Sequence, residues 1–311
     1  VTARRVAAID CGTNTIRLLI ADIAPETARP VREVVRQMRT VRLGEGIERT
    51  GEFAAAALER TRVALDEYAA LIQQHAAQQV RMVATSASRD VRTRGQLIEI
   101  ARSTVEVVPE VITGDEEGRL SFTGVLSGLR VPGPSIVVDI GGGSTELVAG
   151  SESGVRANVS TDIGVVRLTE RHVRHDPPRA DELARVAADA EAALRTAADV
   201  IGEVGGHRMI GVAGTATTAA ALARDLSSYD PRLIHGATIS YADVRRVLHW
   251  STARDTAGRA AHPAMHPGRA PVFPAGMVIL DCVMSMLQMS EMTVSESDIL
   301  DGIALSTRPG E

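Results

Sequence analysis

The sequence predicts an α/β protein of two related domains that arose by internal duplication. Three observations predict it. First, two short motifs recur at one offset: "DCGTNT" begins at Asp10 and "DIGGGS" at Asp139, "VATSAS" at Val83 and "VAGTAT" at Val212, and both pairs lie 129 residues apart. Second, strand-like and helix-like runs follow the same order in both halves. Third, 311 residues with 44% hydrophobic and 23% charged content suit two ordinary domains.

Residues 4–10 "RRVAAID", 15–23 "TIRLLIADI" and 31–43 "VREVVRQMRTVRL" read as three strands joined by turns. Residues 53–76 read as a helix, because Leu58, Leu65, Tyr68, Leu71 and Ile72 recur near helical spacing with alanine between them. "VRMVAT" (80–85) is the next strand and leads into a helix start; 119–129 is helical. "VPGP" (131–134) is a breaker and marks the domain boundary. Beyond it, 135–140, 145–150 and 155–161 are strands, 177–204 a long helix and 207–214 a strand. Met277, Met284, Met286, Met289 and Met292 read as core positions of a C-terminal helix. Three strands, helix, strand, helix is the order of a ribonuclease H-like domain. The expected division is 1–130, completed by about 296–311, and 131–295, with the active site in the interdomain cleft.

Composition excludes several classes. All 34 basic residues are arginine. A Walker A loop, a protein-kinase strand lysine and a pyridoxal Schiff base all need lysine, so those chemistries are closed. Anions must be held by arginine, backbone N–H groups or a metal. The net charge of −5 argues against general binding to nucleic acid or membrane surfaces. No apolar run is long enough to span a membrane, and the N-terminal stretch reaches an acid too soon for a signal peptide. Two cysteines, Cys11 and Cys282, make no disulfide framework, which fits a cytoplasmic protein.

The two glycine turns carry the chemistry. A tight hairpin needs residues without Cβ, but Gly141, Gly142 and Gly143 exceed that need. Their backbone N–H groups can converge on phosphate, with hydroxyls from Ser144 and Thr145. Gly12, Thr13, Asn14 and Thr15 offer the same places in the first copy. Facing each other across a cleft, the turns would grip a phosphate chain from both sides. Asp10 and Asp139 at the strand ends would then sit as bare carboxylates beside phosphate, which requires a cation between them; Mg²⁺ is the usual one.

At this level the chain resembles a known family. "AAIDCGTNTIRLLIADI" and "VVDIGGGSTELV" look like the phosphate motifs of the acetate kinase, sugar kinase, actin and heat-shock chaperone ATPase superfamily. Further stretches narrow the resemblance to a short, two-domain form of the exopolyphosphatase / guanosine pentaphosphate phosphohydrolase family: "ATSASRDVRTR", "VITGDEEGRLSFTGV", "TDIGVVRLTE", "IGVAGTATTAAAL", "IHGATIS", "MHPGRA" and "VSESDILDGIAL". These run from end to end of the chain.

The resemblance implies metal-dependent hydrolysis of the terminal phosphate of inorganic polyphosphate, short chains above long ones. In "GDEEGRL" it makes Glu117 the base that takes the proton of the attacking water. Arg89 is implied near the scissile phosphate, where a guanidinium can fork onto two oxygens; an ion pair with Asp90 or Glu116 is the other reading. Arg17 and Arg119 match basic positions of the motifs. Glu146 is implied with Asp139 and Asp10 around Mg²⁺. Gly214 and Thr215 would line the cleft beyond the second turn, or Thr215 would simply cap a helix. "MHPGRA" departs from the family loop at Ala264 and Pro271. His262 and His266 have the spacing of a helical zinc pair, but the proline after each breaks the helix it would need. Guanosine pentaphosphate is the alternative substrate. A non-catalytic polyphosphate or alarmone sensor and a superfamily kinase are the alternatives of other kinds. A homodimer is the family's habit.

Overall fold

The structure, a computed structural model, describes residues 3–24, 27, 30–89 and 91–307. The chain divides into two units: Val1–Gly128 with Ser297–Glu311, and Leu129–Glu296.

In the first unit β1 (Arg4–Cys11), β2 (Thr15–Ile23) and β3 (Val31–Thr40) form an antiparallel meander. α1 (Ile47–Thr50) and the long α2 (Ala55–Gln74) follow. They carry the chain across to β4 (Gln79–Ala84), which lies parallel to β1; parallel pairing needs a crossover of this kind. α3 (Ser86–Arg89), α4 (Arg94–Thr104), β5 (Glu110–Val111) and α5 (Gly114–Gly128) complete the run. The sheet order is β3-β2-β1-β4-β5. Central β1 is almost continuously buried, whereas edge strand β3 is studded with arginine and is only partly covered.

The second unit repeats the pattern with β6 (Ser135–Ile140), β7 (Thr145–Ser151) and β8 (Gly154–Thr161). α6 (Val165–His172), α7 (Ala180–Ile201), β9 (Arg208–Val212) and α8 (Ala213–Ala223) come next. Then follow α9 (Pro231–Ile234), β10 (Thr238–Ser240), α10 (Tyr241–Thr252), α11 (Thr256–Ala260), α12 (Phe273–Met286) and β11 (Glu291–Val294). The order is β10-β11-β9-β6-β7-β8, the first sheet's order with one more edge strand. The last helix, α13 (Ile299–Ser306), belongs to the first unit.

Alternation along the strands explains that return. In β1 and β2, Ala7, Ile9, Ile16 and Leu18 face the side covered by Leu65 and Tyr68 of α2 and Leu97 of α4. Val6, Ala8, Leu19 and Ala21 face the other side, where Leu120 of α5 and Ile299, Leu300 and Ile303 of α13 cover them. Each of those three α13 side chains contributes about 1.5–3 kcal/mol by its burial.

The duplication extends to register. Asp10 pairs with Arg17 across the hairpin and with Val83 across the parallel pair; Asp139 pairs with Glu146 and Val212 in the same two ways. Gly12 N donates to Thr15 O at 3.0 Å, and Gly141 N donates to Ser144 O at 2.9 Å.

Some boundaries differ from expectation. β3 ends at Thr40 rather than 43, because the N–H groups of Val41 and Arg42 turn to Asn14 O. α5 starts at Gly114, since Asp115, Glu116 and Glu117 suit the positive end of a helix. Helices α4 and α6 were not expected; α6 has a clear apolar face but only eight residues to show it. Met289 and Met292 lie beyond α12, the latter buried in β11. Among the described residues no helix is long and apolar enough to cross a membrane.

Candidate active site

The first turn, Gly12 to Thr15, is held from one side by main chain. Val41 N and Arg42 N donate to Asn14 O at 3.0 and 2.9 Å, and Gly44 N donates to Thr13 O at 2.8 Å. Residues directly opposite in an antiparallel pair share a face, so Arg17 meets Asp10. Its Nη2 and Nε donate to Asp10 Oδ2 at 2.7 and 3.0 Å, and its Nη1 donates to Asp298, the N-cap of α13. Asp10 is therefore not the bare carboxylate the sequence suggested. Burial pushes its carboxyl above the ordinary range against the pull of Arg17, and its Oδ1 has no hydrogen-bond partner.

At the end of β4 the chain turns into α3, whose last residue is Arg89. Arg94 fixes this turn by donating to Ser88 O and Arg89 O at 2.8 and 3.0 Å. Arg89 Nη1 then donates to Glu117 Oε2 at 2.9 Å and to Ile112 O at 3.1 Å. Glu117 sits in the first turn of α5 with its side chain 12% exposed. So Arg89 pairs with the acid expected to act as base. It does not pair with Glu116, which meets Arg81 at 3.1 Å; Asp90 lies outside the described residues. Arg119 pairs with Asp115 on the exposed face of α5.

The second turn is built differently. The N–H groups of Val165 and Val166, opening α6, donate to Gly141 O and Gly142 O at 3.0 and 2.8 Å; Arg167 Nε donates to Gly143 O at 2.8 Å. Three successive carbonyls are thus drawn to α6. Gly164 makes the approach possible, because a Cβ there would lie 2.5 Å from Gly142 C and O and from Gly143 N. Thr145 Oγ1 donates to Ile163 O at 2.7 Å, and Ser144 is buried. Asp139 and Glu146, 7% and 1% exposed, share a face, and Ser160 Oγ donates to Glu146 Oε1 at 2.7 Å. Where the first hairpin pairs an acid with arginine, the second sets two acids opposite each other.

Val212, the partner of Asp139, is the N-cap of α8, so Gly214 and Thr215 start beside the end of β6. Thr215 lies inside the helix rather than capping it. A Cβ on Gly214 would lie 2.2 Å from Arg269 Nη2, so that guanidinium lies on the helix start; its Nη1 donates to Thr218 Oγ1 at 2.6 Å. His262 and His266 each accept from a backbone N–H two residues on, Ala264 and Gly268, and so close turns. Among the described residues, no group of three or more His, Cys, Asp or Glu side chains could hold a metal.

The structure thus joins Arg89 to Glu117, Asp10 to Arg17, and Asp139 to Glu146. Sequence reasoning missed Arg269, Gly164 and Asp298. The signals existed: Arg269 is the arginine of "MHPGRA", and Gly164 is the glycine of "TDIG" after β8.

A model described as the Ppx/GppA phosphatase family matches residues 19–311. Exopolyphosphatase 2 of Mycobacterium tuberculosis is 45% identical, covering 97% of this chain and 98% of that one. The crystal structure of an exopolyphosphatase-like protein superposes with a TM-score of 0.93 at 37% identity, covering 98% of both chains. That of the Aquifex aeolicus Ppx/GppA family member gives 0.81 at 31% identity, covering 98% of this chain and 97% of that one.

Proposed function

The chain belongs to the Ppx/GppA phosphatase family, and from that premise we propose that it is an exopolyphosphatase, releasing the terminal phosphate of inorganic polyphosphate. The observation that carries the reading is the Arg89–Glu117 pair: a mostly buried carboxylate, held in one orientation at a helix start by a guanidinium. Hydrolysis of a phosphoanhydride needs a positioned water and a group to take its proton. Glu117 supplies that group in this reading, and Arg89 keeps its lone pairs aimed while offering further N–H donors to a phosphate oxygen.

Each turn has a distinct part. The second turn directs its carbonyls to α6, so its amides are what it offers an anion, with the Ser144 hydroxyl beside them. The first turn, Gly12 to Thr15, offers amides and hydroxyls and carries Arg17. Gly214 and Thr215, at the start of α8, would bind further along the substrate.

Mg²⁺ is the proposed cation. Asp139 and Glu146 fit it: two buried carboxylates on one face form an oxygen donor set that a hard divalent ion would neutralise. Asp10 fits a cation less well, since Arg17 already compensates it. A bound ion would offset charge on the phosphate oxygens. Cys11 and Cys282 are free and buried, in keeping with the proposed cytoplasmic location; a homodimer is proposed on family grounds, for sedimentation to test.

The test is phosphate release from polyphosphates of graded length and from guanosine pentaphosphate, with and without chelator. Metal-dependent release from polyphosphate supports the reading. Release from guanosine pentaphosphate alone, or binding without release, replaces it.

A further inference from the structure

Six non-glycine residues among those described have left-handed backbones: Arg42, Ala76, Glu106, Ala213, Asp225 and Gln288, with φ from 49° to 59°. Four of them sit just past the ends of α2, α4, α8 and α12, where a left-handed residue closes a helix. Arg42 and Ala213 close nothing. Ala213 opens α8. Arg42 lies between β3 and α1, and its N–H is one of the amides that hold the first turn through Asn14 O. Glycine would take this conformation without strain, yet the position holds one of the longest side chains.

The side chain of Arg42 is exposed. Its isolation is unusual in this unit. Nearly all arginines described there have an acidic partner; Arg4 instead donates to Gln79, and Arg94 to two carbonyls. Arg42 and Arg49 are the two arginines described in this unit with no acidic, amide or carbonyl partner for the side chain, and both lie on the connection between β3 and α2 that braces the first turn. Two such arginines on the connection that braces a phosphate turn, one of them on strained backbone, are what a polyanion longer than two units would require. With lysine absent, arginine is the residue that can supply the charge.

We propose that Arg42, assisted by Arg49, binds the phosphates beyond the second from the cleaved end and so sets the preference for chain length. This rests on reading the chain as a phosphoanhydride hydrolase. The first two units are left to the turn, Arg89 and Glu117, so Arg42 should matter only when the substrate extends past them.

The test compares wild type with Arg42→Gly, Arg42→Lys and Arg49→Gln on pyrophosphate, tripolyphosphate, longer inorganic polyphosphate and guanosine pentaphosphate. Calorimetric binding is measured beside steady-state hydrolysis. For Arg42→Gly, Kd and KM should rise about tenfold on long polyphosphate, the loss of a hydrogen-bonded charge, and stay unchanged on pyrophosphate. kcat should stay within about twofold, and Tm should not fall, because glycine relieves the left-handed backbone. Arg42→Lys should recover part of the loss, and Arg49→Gln should show a smaller effect of the same kind. An equal effect at every length, no effect, or an effect confined to the nucleotide overturns the proposal. Binding needs no turnover, so a wild type that binds polyphosphate without cleaving it refutes the hydrolase reading while the Arg42 comparison still stands or falls by itself.

Discussion

Replacing Glu146 by glutamine should make the chelated protein more stable and its response to Mg²⁺ weaker. Glu146 and Asp139 face each other across β6 and β7, nearly buried. Opposed Cβ atoms in such a pair lie about 5 Å apart. At an effective dielectric of about 20, two negative charges at that distance repel by roughly 3 kcal/mol. The hydrogen bond from Ser160 to Glu146 and the further partners of both acids offset most of this, so the variant should gain about 1 kcal/mol without metal. At about 2–4 °C per kcal/mol, Tm in chelator should rise by a few degrees. Wild type at a Mg²⁺ concentration near 100 times its Kd should gain about 2.7 kcal/mol, and Glu146→Gln much less. Thermal unfolding in chelator and across a MgCl₂ titration reads both quantities. A lower Tm in chelator together with an unchanged Mg²⁺ shift would refute the assignment of this pair to the cation.

Other perturbations test other parts. Arg89→Gln removes a charged hydrogen bond from Glu117 and should lower kcat by about 10–100-fold, with partial recovery in Arg89→Lys; unchanged steady-state turnover would remove Arg89 from the site. Gly164→Ala forces a methyl against the second turn, so stability should drop by an overpacking cost of about 1–3 kcal/mol, read as a lower Tm, and Mg²⁺-dependent turnover should fall; a variant indistinguishable from wild type would show the contact to be slack. Glu182 is held down to about 2 by the backbone N–H of Arg179, and further by His175 and the N–H of Arg174. Its folded value lies below its ordinary 4.5, so its stabilisation is present above that pH and is lost as pH falls toward about 2. Glu182→Gln should therefore flatten the fall of Tm over that window, and parallel Tm–pH curves for the two proteins would contradict it.

The fold was legible because duplication leaves a signal that propensity cannot blur. Two motifs at one offset implied two sheets of one order, and the register of Asp10 and Asp139 shows that order carried to single residues. The pairing of Asp10 with Arg17 was also within reach, since Arg17 stands as far after the first turn as Asp10 stands before it. Reading the turns for phosphate alone hid it. Helix α6 was not legible: "VVRLTERH" is short, and its role of drawing in the carbonyls of Gly141 and Gly142 depends on a tertiary approach that only Gly164 hints at. Arg269 escaped for a related reason. It lies far along the chain from Gly214, and only folding brings its guanidinium onto the start of α8. The Arg89–Glu117 bond was missed because motif reading gave each residue a task on the substrate and none on the other.

The central claim is that Glu117, oriented by Arg89, takes the proton from the water that attacks a terminal phosphate. Phosphate release from inorganic polyphosphate by wild type and Glu117→Gln, with polymer binding measured on the same samples, tests it most directly. Turnover should fall by at least about 10²–10⁴-fold while binding stays within a few fold. Near-normal release by the variant would contradict it.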